Sequence, residues 1–151
     1  MPASRSPVVE FKSAPVLYLC SSKSEIAKMV EEAKRTSKGE NLVLLLNHSE
    51  RAVARVLPAF INAAIRFNDG SARSDSMQIE MLMLVCGTMN IGKALRDCGA
   101  KDKGRFLVFA SSRKLFDRFA RTIGIGKAKS IGLKLDKKTA GSVAITELLN
   151  D

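Results

Sequence analysis

The segment Gly87-Thr88-Met89-Asn90-Ile91-Gly92-Lys93 has the G-x-x-x-x-G-K spacing of a phosphate-cradling loop, in which backbone amides and a lysine hold a nucleotide's phosphates. That chemistry asks for a hydroxyl after the lysine to ligate magnesium, and Ala94 stands there instead. It also asks for a second apolar strand ending in Asp, whereas Leu107-Val108-Phe109 runs into Ala110-Ser111. The same seven residues also read well as a helix C-cap followed by the start of a new helix. Gly124-Ile125-Gly126-Lys127 repeats the glycine–lysine theme with no strand before it. His48 is the sole histidine, so Ser-His-Asp or Cys-His catalysis would have to use it, and it sits beside an expected helix start. Cys20, Cys86 and Cys98 are odd in number and widely spaced in apolar settings, which predicts buried free thiols in a reducing compartment. With no CxxC pair and no second histidine, neither a dedicated metal site nor a cofactor is expected.

The elements that must position these residues follow from periodicity. Val8–Lys12 and Val16–Cys20 read as strands of a hairpin around Ser13-Ala14-Pro15. Ser22 with Glu25 has the spacing of a capping box, opening a helix with Ile26, Met29, Val30 and Ala33 on one face. Leu42–Leu46 is a strand-length apolar run. Asn47 or Ser49 then starts a helix that carries Val53, Val56, Leu57, Phe60, Ile61, Ala64 and Ile65 inward, with Pro58 expected to bend or interrupt it. Arg51, Arg55, Asn62 and Arg66 fall within about 60° of one another on its opposite face. Residues 75–86 are apolar on nearly every side and belong in the middle of a core. Glu80 within them predicts a buried acid paired to an arginine or a helix N-terminus. Ile91, Ala94, Leu95 and Cys98 define the inner face of a short helix stopped by Gly99. Arg105–Ala110 is a strand. Ser111 or Ser112 caps a helix with Leu115, Phe116, Phe119 and Ile123 inward and Arg113, Lys114, Arg118 and Arg121 outward. A short strand at Ile131–Leu135 and a terminal helix at Lys137–Leu149 complete an α+β fold: a compact helical core flanked by a small mixed or antiparallel sheet.

The chain of 151 residues holds 25 Lys plus Arg against 15 Asp plus Glu, a formal charge of +10. Hydrophobic content of 46% with charged content of 26% excludes wholesale disorder and fibrous repeats. It fits a single domain, residues 1–151, with 1–15 as a weakly ordered extension or an edge hairpin. No apolar run approaches the roughly 18 residues that cross a bilayer, and the first fifteen residues lack the apolar core of a secretory signal. The expected setting is the cytoplasm, or the nucleus as well in a eukaryote, with no membrane partner. Residues 1–92 carry 11 basic and 9 acidic side chains, residues 93–138 carry 14 and 4. A charge excess confined to one stretch is the footprint of a polyanion-binding surface, with a solvated, salt-adapted face as the plainer alternative. Aromatics make up 5%, too few for an extended platform that stacks single-stranded bases.

The residues Ala72-Arg73-Ser74, Ile79-Glu80-Met81-Leu82, Gly87, Asn90-Ile91, Ala94-Leu95 and Gly99-Ala100 together resemble the small, PRPK-binding (TPRKB-like/Cgi) subunit family of the KEOPS complex. The order of elements over residues 42–150 is similar too, although Thr88 and Met89 replace the Gln or Arg usual after that glycine. The resemblance implies a non-catalytic subunit of the complex that makes threonylcarbamoyladenosine in tRNA. Such a subunit binds the small atypical kinase/ATPase (PRPK-like) and helps recruit tRNA by its 3′ CCA end. Carried onto this chain, Arg73 and Lys93 would meet phosphates, Ser74 and Asn90 would hydrogen-bond bases or sugars, and Ile91 would pack on a base. Arg51, Arg55, Arg66, Lys101 and Lys103 would steer the acceptor stem by charge. Ile145, Leu148 and Leu149 are candidates for the kinase surface. For Arg51, Arg55 and Arg66 a solvated helix face is an equally simple account, as core packing is for Ile91 and the last three. Two other functions stay open: a free-standing basic RNA-binding module, and a phosphate-binding enzyme using Gly87–Lys93, which the residues support least.

Overall fold

The computed structural model describes residues 13–133. The strand expected at Val8–Lys12, the terminal helix and Ile145, Leu148 and Leu149 lie outside the described residues. The elements are β1 (Val16–Ser22), α1 (Ile26–Thr36), β2 (Val43–Asn47), α2 (Glu50–Asp69), α3 (Met77–Cys86), α4 (Ile91–Cys98), β3 (Phe106–Ala110), α5 (Arg113–Ile123) and β4 (Ile125–Ile131). The strands form one sheet in the order β2-β3-β1-β4, and every neighbouring pair is antiparallel. The units β1-α1-β2 and β3-α5-β4 each skip one strand and interleave, which is the split β-α-β, ferredoxin-like plan. The helices α2, α3 and α4 are inserted between β2 and β3. The α+β class holds.

Strand alternation divides the core into two layers. Leu17, Leu44, Leu46, Leu107 and Phe109 point toward α2, α3 and α4; Cys20, Val43, Leu45, Phe106 and Val108 point toward α1 and α5. Because both faces are covered, β3 is buried at all five positions and reads as a continuous apolar run rather than an alternating one. Phe109 meets Phe60 of α2 on one side, with ring centroids 4.9 Å apart. On the other side, Tyr18 stacks on Phe116 of α5 at 4.0 Å. These rings are engaged between the sheet and its helices, whereas the edge strand β4 is exposed over residues 126–130 and carries no aromatic side chain.

Several local expectations change. β1 is paired with β3 on one edge and β4 on the other, so it has no edge left for a hairpin partner. Ser22 ends β1 rather than capping α1, whose N-cap is Glu25 without a side-chain bond. The Ser22 hydroxyl instead reaches the end of α5, donating to the Gly124 carbonyl at 3.0 Å. Pro58 leaves α2 unbroken over 20 residues. The carbonyl it deprives of a donor is that of Ala54, an exposed residue, so no buried acceptor is left without a donor there. Among the described residues the strand after α5 is Ile125–Ile131, ending where the expected strand would begin, with residues 134–135 outside the described residues: the turn at Gly124, with φ +69°, lets the chain reverse directly into β4. Ser49 and Ser112 cap α2 and α5 as their types predict. All three cysteines are buried and free. Burial pushes the Cys20 thiol up to about 12.

Candidate nucleic-acid interface

α2 and α3 lie side by side, and the arginine stripe of α2 faces α3 along its whole length. At one end, Arg66 Nη1 donates to Glu80 Oε2 at 2.8 Å. Glu80 is 0% exposed, and its other oxygen accepts the backbone N–H groups of Arg73 at 2.9 Å and Ser74 at 3.0 Å. A buried carboxylate needs this much compensation, and here one guanidinium and two amides supply it. The expected pairing of Glu80 with an arginine is therefore present, and it fixes the loop before α3. Within that loop the Ser74 hydroxyl accepts the Ser76 N–H at 3.1 Å, and the Ser76 hydroxyl caps α3. The residues Arg73, Ser74 and Glu80 thus form a structural clasp.

At the other end of the stripe, Arg51 Nη1 donates to the Cys86 carbonyl at 3.4 Å and Arg55 Nη1 to that of Val85 at 3.5 Å. The last turn of α3 has no basic residue of its own, so α2 supplies the cations that complement its negative end. Gly87 follows with φ +76°, and a Cβ there would stand 3.2 Å from Arg55 Nη1. Glycine is favoured here by the left-handed backbone, and any side chain would also have to push the Arg55 guanidinium aside. Asn90 caps α4 by accepting the Lys93 N–H at 2.9 Å, and its own N–H donates to the Thr88 hydroxyl. At the end of α4 a Cβ on Gly99 would come to 2.5 Å from the Leu95 carbonyl oxygen, so this position takes only glycine. The Gly87–Lys93 segment is the helix C-cap and helix start; α3, not a strand, precedes it.

The spacing that groups Ile91 and Leu95 with Ala94 and Cys98 implies an inward face, yet both point outward, which for Ile91 is the position a contact residue needs. Only Ala94 and Cys98 of α4 are buried, while Ile91 is 46% and Leu95 49% exposed, with Met89 at 61% beside them. Eight residues of helix seated through two small side chains leave the larger ones at the surface. The junction of α3 and α4 therefore exposes Met89, Ile91 and Leu95 near the exposed Asn90, Arg51 and Arg55, while Lys93 and Arg96 are exposed on other sides of α4. Such a site can combine apolar contact with phosphate or carboxylate pairing.

Not all of the expected RNA residues meet there. α3 has ten residues, so the Arg73–Ser74 loop lies about 15 Å from Asn90, Ile91 and Lys93, at the far end of the helix. Arg66 is held by Glu80. Lys103 pairs with Glu25 at 3.2 Å, and Lys101 is exposed in the loop after α4. His48 Nδ1 accepts from Arg105 Nε at 2.9 Å. Among the described residues, no group of three or more His, Cys, Asp or Glu side chains is arranged to hold a metal ion, and no helix is long and apolar enough to cross a membrane.

The sequence-based site omitted α5, although its outward cations were legible. Arg113, Lys114, Arg118 and Arg121 are all exposed, and none lies within 4.0 Å of a carboxylate among the described residues. No family model matches the chain, and no curated protein matches it.

Proposed function

We propose that this chain is a non-catalytic adaptor that presents RNA to a partner, of the kind the KEOPS resemblance implies: it binds the PRPK-like kinase/ATPase subunit and recruits tRNA by its 3′ end. The observation that carries the RNA part is the α3–α4 junction, where Met89, Asn90, Ile91 and Leu95 are exposed at the end of α3 that Arg51 and Arg55 contact, with Lys93 exposed on another side of the first turn of α4. With its Oδ1 occupied in capping, Asn90 has its amide N–H₂ to offer a base or sugar oxygen. Ile91 and Met89 supply apolar contact to a base face, and Lys93, Arg51 and Arg55 supply positive charge for phosphates. Arg73 and Ser74 lie at the opposite end of α3, where their backbone amides hold Glu80 and the exposed Arg73 side chain would meet phosphates apart from the junction. The resemblance supports the reading further, because Gly87, Gly99 and Glu80 of the shared pattern sit at positions where this fold has a specific need for them. Kinase binding rests on the resemblance.

The test compares mature tRNA with the same tRNA lacking its three 3′ nucleotides, at two salt concentrations, together with complex formation on mixing with the kinase. Weaker binding of the trimmed tRNA, and a stoichiometric complex, are expected. Lys93→Ala should lower the salt slope by about 0.7–0.9, one phosphate contact. Equal affinity for both tRNAs would leave the free-standing RNA module, which the exposed cations of α5 favour.

A further inference from the structure

We propose that the outward row of α5 is a second, sequence-independent docking surface, for the phosphate backbone of duplex RNA. Lys114, Arg118 and Arg121 recur at i, i+4 and i+7, so they stand in line on the face opposite the buried Leu115, Phe116, Phe119 and Ile123. Arg113 flanks the row. Asp117 is its one acid, and the facing helix α1 contributes Lys28, Glu31, Glu32 and Arg35 at the edge of a cleft of about 390 Å³ shared with Thr122 and Ile123. Of these acids, Glu32 is engaged by Arg35 at 3.5 Å. The row is about 10 Å long, a distance over which a duplex presents about six phosphate charges.

The choice of ligand comes from what the row lacks. Among the described residues the large exposed apolar side chains are Met89, Ile91 and Leu95, all at the α3–α4 junction and none on α5. A protein interface seats its aromatic and arginine anchors among well-packed contacts that exclude water, and a membrane-bound helix inserts apolar side chains; the α5 row has no large exposed apolar neighbours for either. Phosphate backbone needs neither, since hydrated cations bind it by releasing counterions. Helix α5 lies across the sheet from α4, with outer surfaces on the order of 30 Å apart, so the two sites engage different RNA segments. The inference rests on RNA being the ligand class of the proposed function, but not on recognition of a 3′ end.

The test uses a blunt RNA duplex with no 3′ overhang and the full chain, titrated over a salt series. Binding should occur, and the triple variant K114Q/R118Q/R121Q should lower the salt slope by about 2.5–3 units, three phosphate contacts. The charge-retaining K114R/R118K/R121K should keep the wild-type slope, which separates charge from side-chain shape. Asp117→Asn should tighten binding. An unchanged slope in the triple Gln variant overturns the proposal. So does displacement of the duplex by polyglutamate or phosphatidylserine vesicles at equal charge concentration, since the row would then not select phosphodiester backbone. Duplex binding that follows α5 while intact and trimmed tRNA bind alike would retain this surface and remove the 3′-end site.

Discussion

Helices α2 and α5 each carry a line of basic residues along one side, and the fold uses the two lines in opposite ways. On α2, Arg51, Arg55 and Arg66 face a neighbouring helix, where they complement the end of α3 and neutralise a buried acid. On α5, Lys114, Arg118 and Arg121 face solvent with no carboxylate within 4.0 Å among the described residues. The α2 line ties two helices together while Arg51 and Arg55 keep an exposed side; the α5 line has no such partner helix among the described residues. Both lines obey the helical period, at i, i+4 and i+15 on α2 and at i, i+4 and i+7 on α5, so periodicity alone does not tell them apart. What separates them is whether another helix packs on that side.

The largest effect that would break this comparison is in stability. Arg66→Met leaves Glu80 at 0% exposure with only the two amide donors, and should cost about 3 kcal/mol in a urea unfolding experiment. A cost below about 1 kcal/mol would mean that Arg66 behaves like an ordinary surface pair. Truncating the other end of the line, Arg55→Ala, should cost about 0.5–1 kcal/mol through the loss of charge at the α3 terminus. The triple α5 variant K114Q/R118Q/R121Q should stay within about 0.5 kcal/mol of wild type per site while losing polyanion affinity. Instability in that variant together with intact affinity would invert the assignment of the two helices.

Much of the fold was legible because it depends on local signals. The caps at Ser49 and Ser112, the apolar run of β3 and the inward set of α5 follow from residue type and period alone. The strand order was not, because nothing local says that β1 sits between β3 and β4. The missing information at the site was of the same kind. Ile91 and Leu95 have inward spacing, yet the helix seats through Ala94 and Cys98, and only the position of α3 determines that. Arg73 and Lys93 are close in the motif and distant in space because a ten-residue helix runs between them. The one inference about the α2 stripe that needed no tertiary knowledge was Glu80: an acid on an all-round apolar helix must find a cation, and the nearest line of cations supplied it.

The smallest effect expected is also a local probe of the α2 line. Cys98, at the end of α4, has its thiol pushed up to about 11, first by burial and then by hydrogen bonding to Cys86, while the charge of Arg51 pulls in the opposite direction. Its folded value lies above the 9.0 of an ordinary thiol. The unfolded chain therefore ionises first, and the stability Cys98 contributes is present below pH 9 and lost as pH rises toward about 11. Arg51→Ala removes the one favourable charge and should raise the thiol further, so alkylation of the native protein at pH 9–10 should slow and the loss of stability should extend to higher pH. A matching substitution on α5, Arg118→Ala, should leave the alkylation rate of Cys98 where it was, since that charge lies across the sheet. If both variants slow alkylation equally, the charge of Arg51 is not directed into the α3–α4 junction, and the division between an inward and an outward line fails at its most sensitive point.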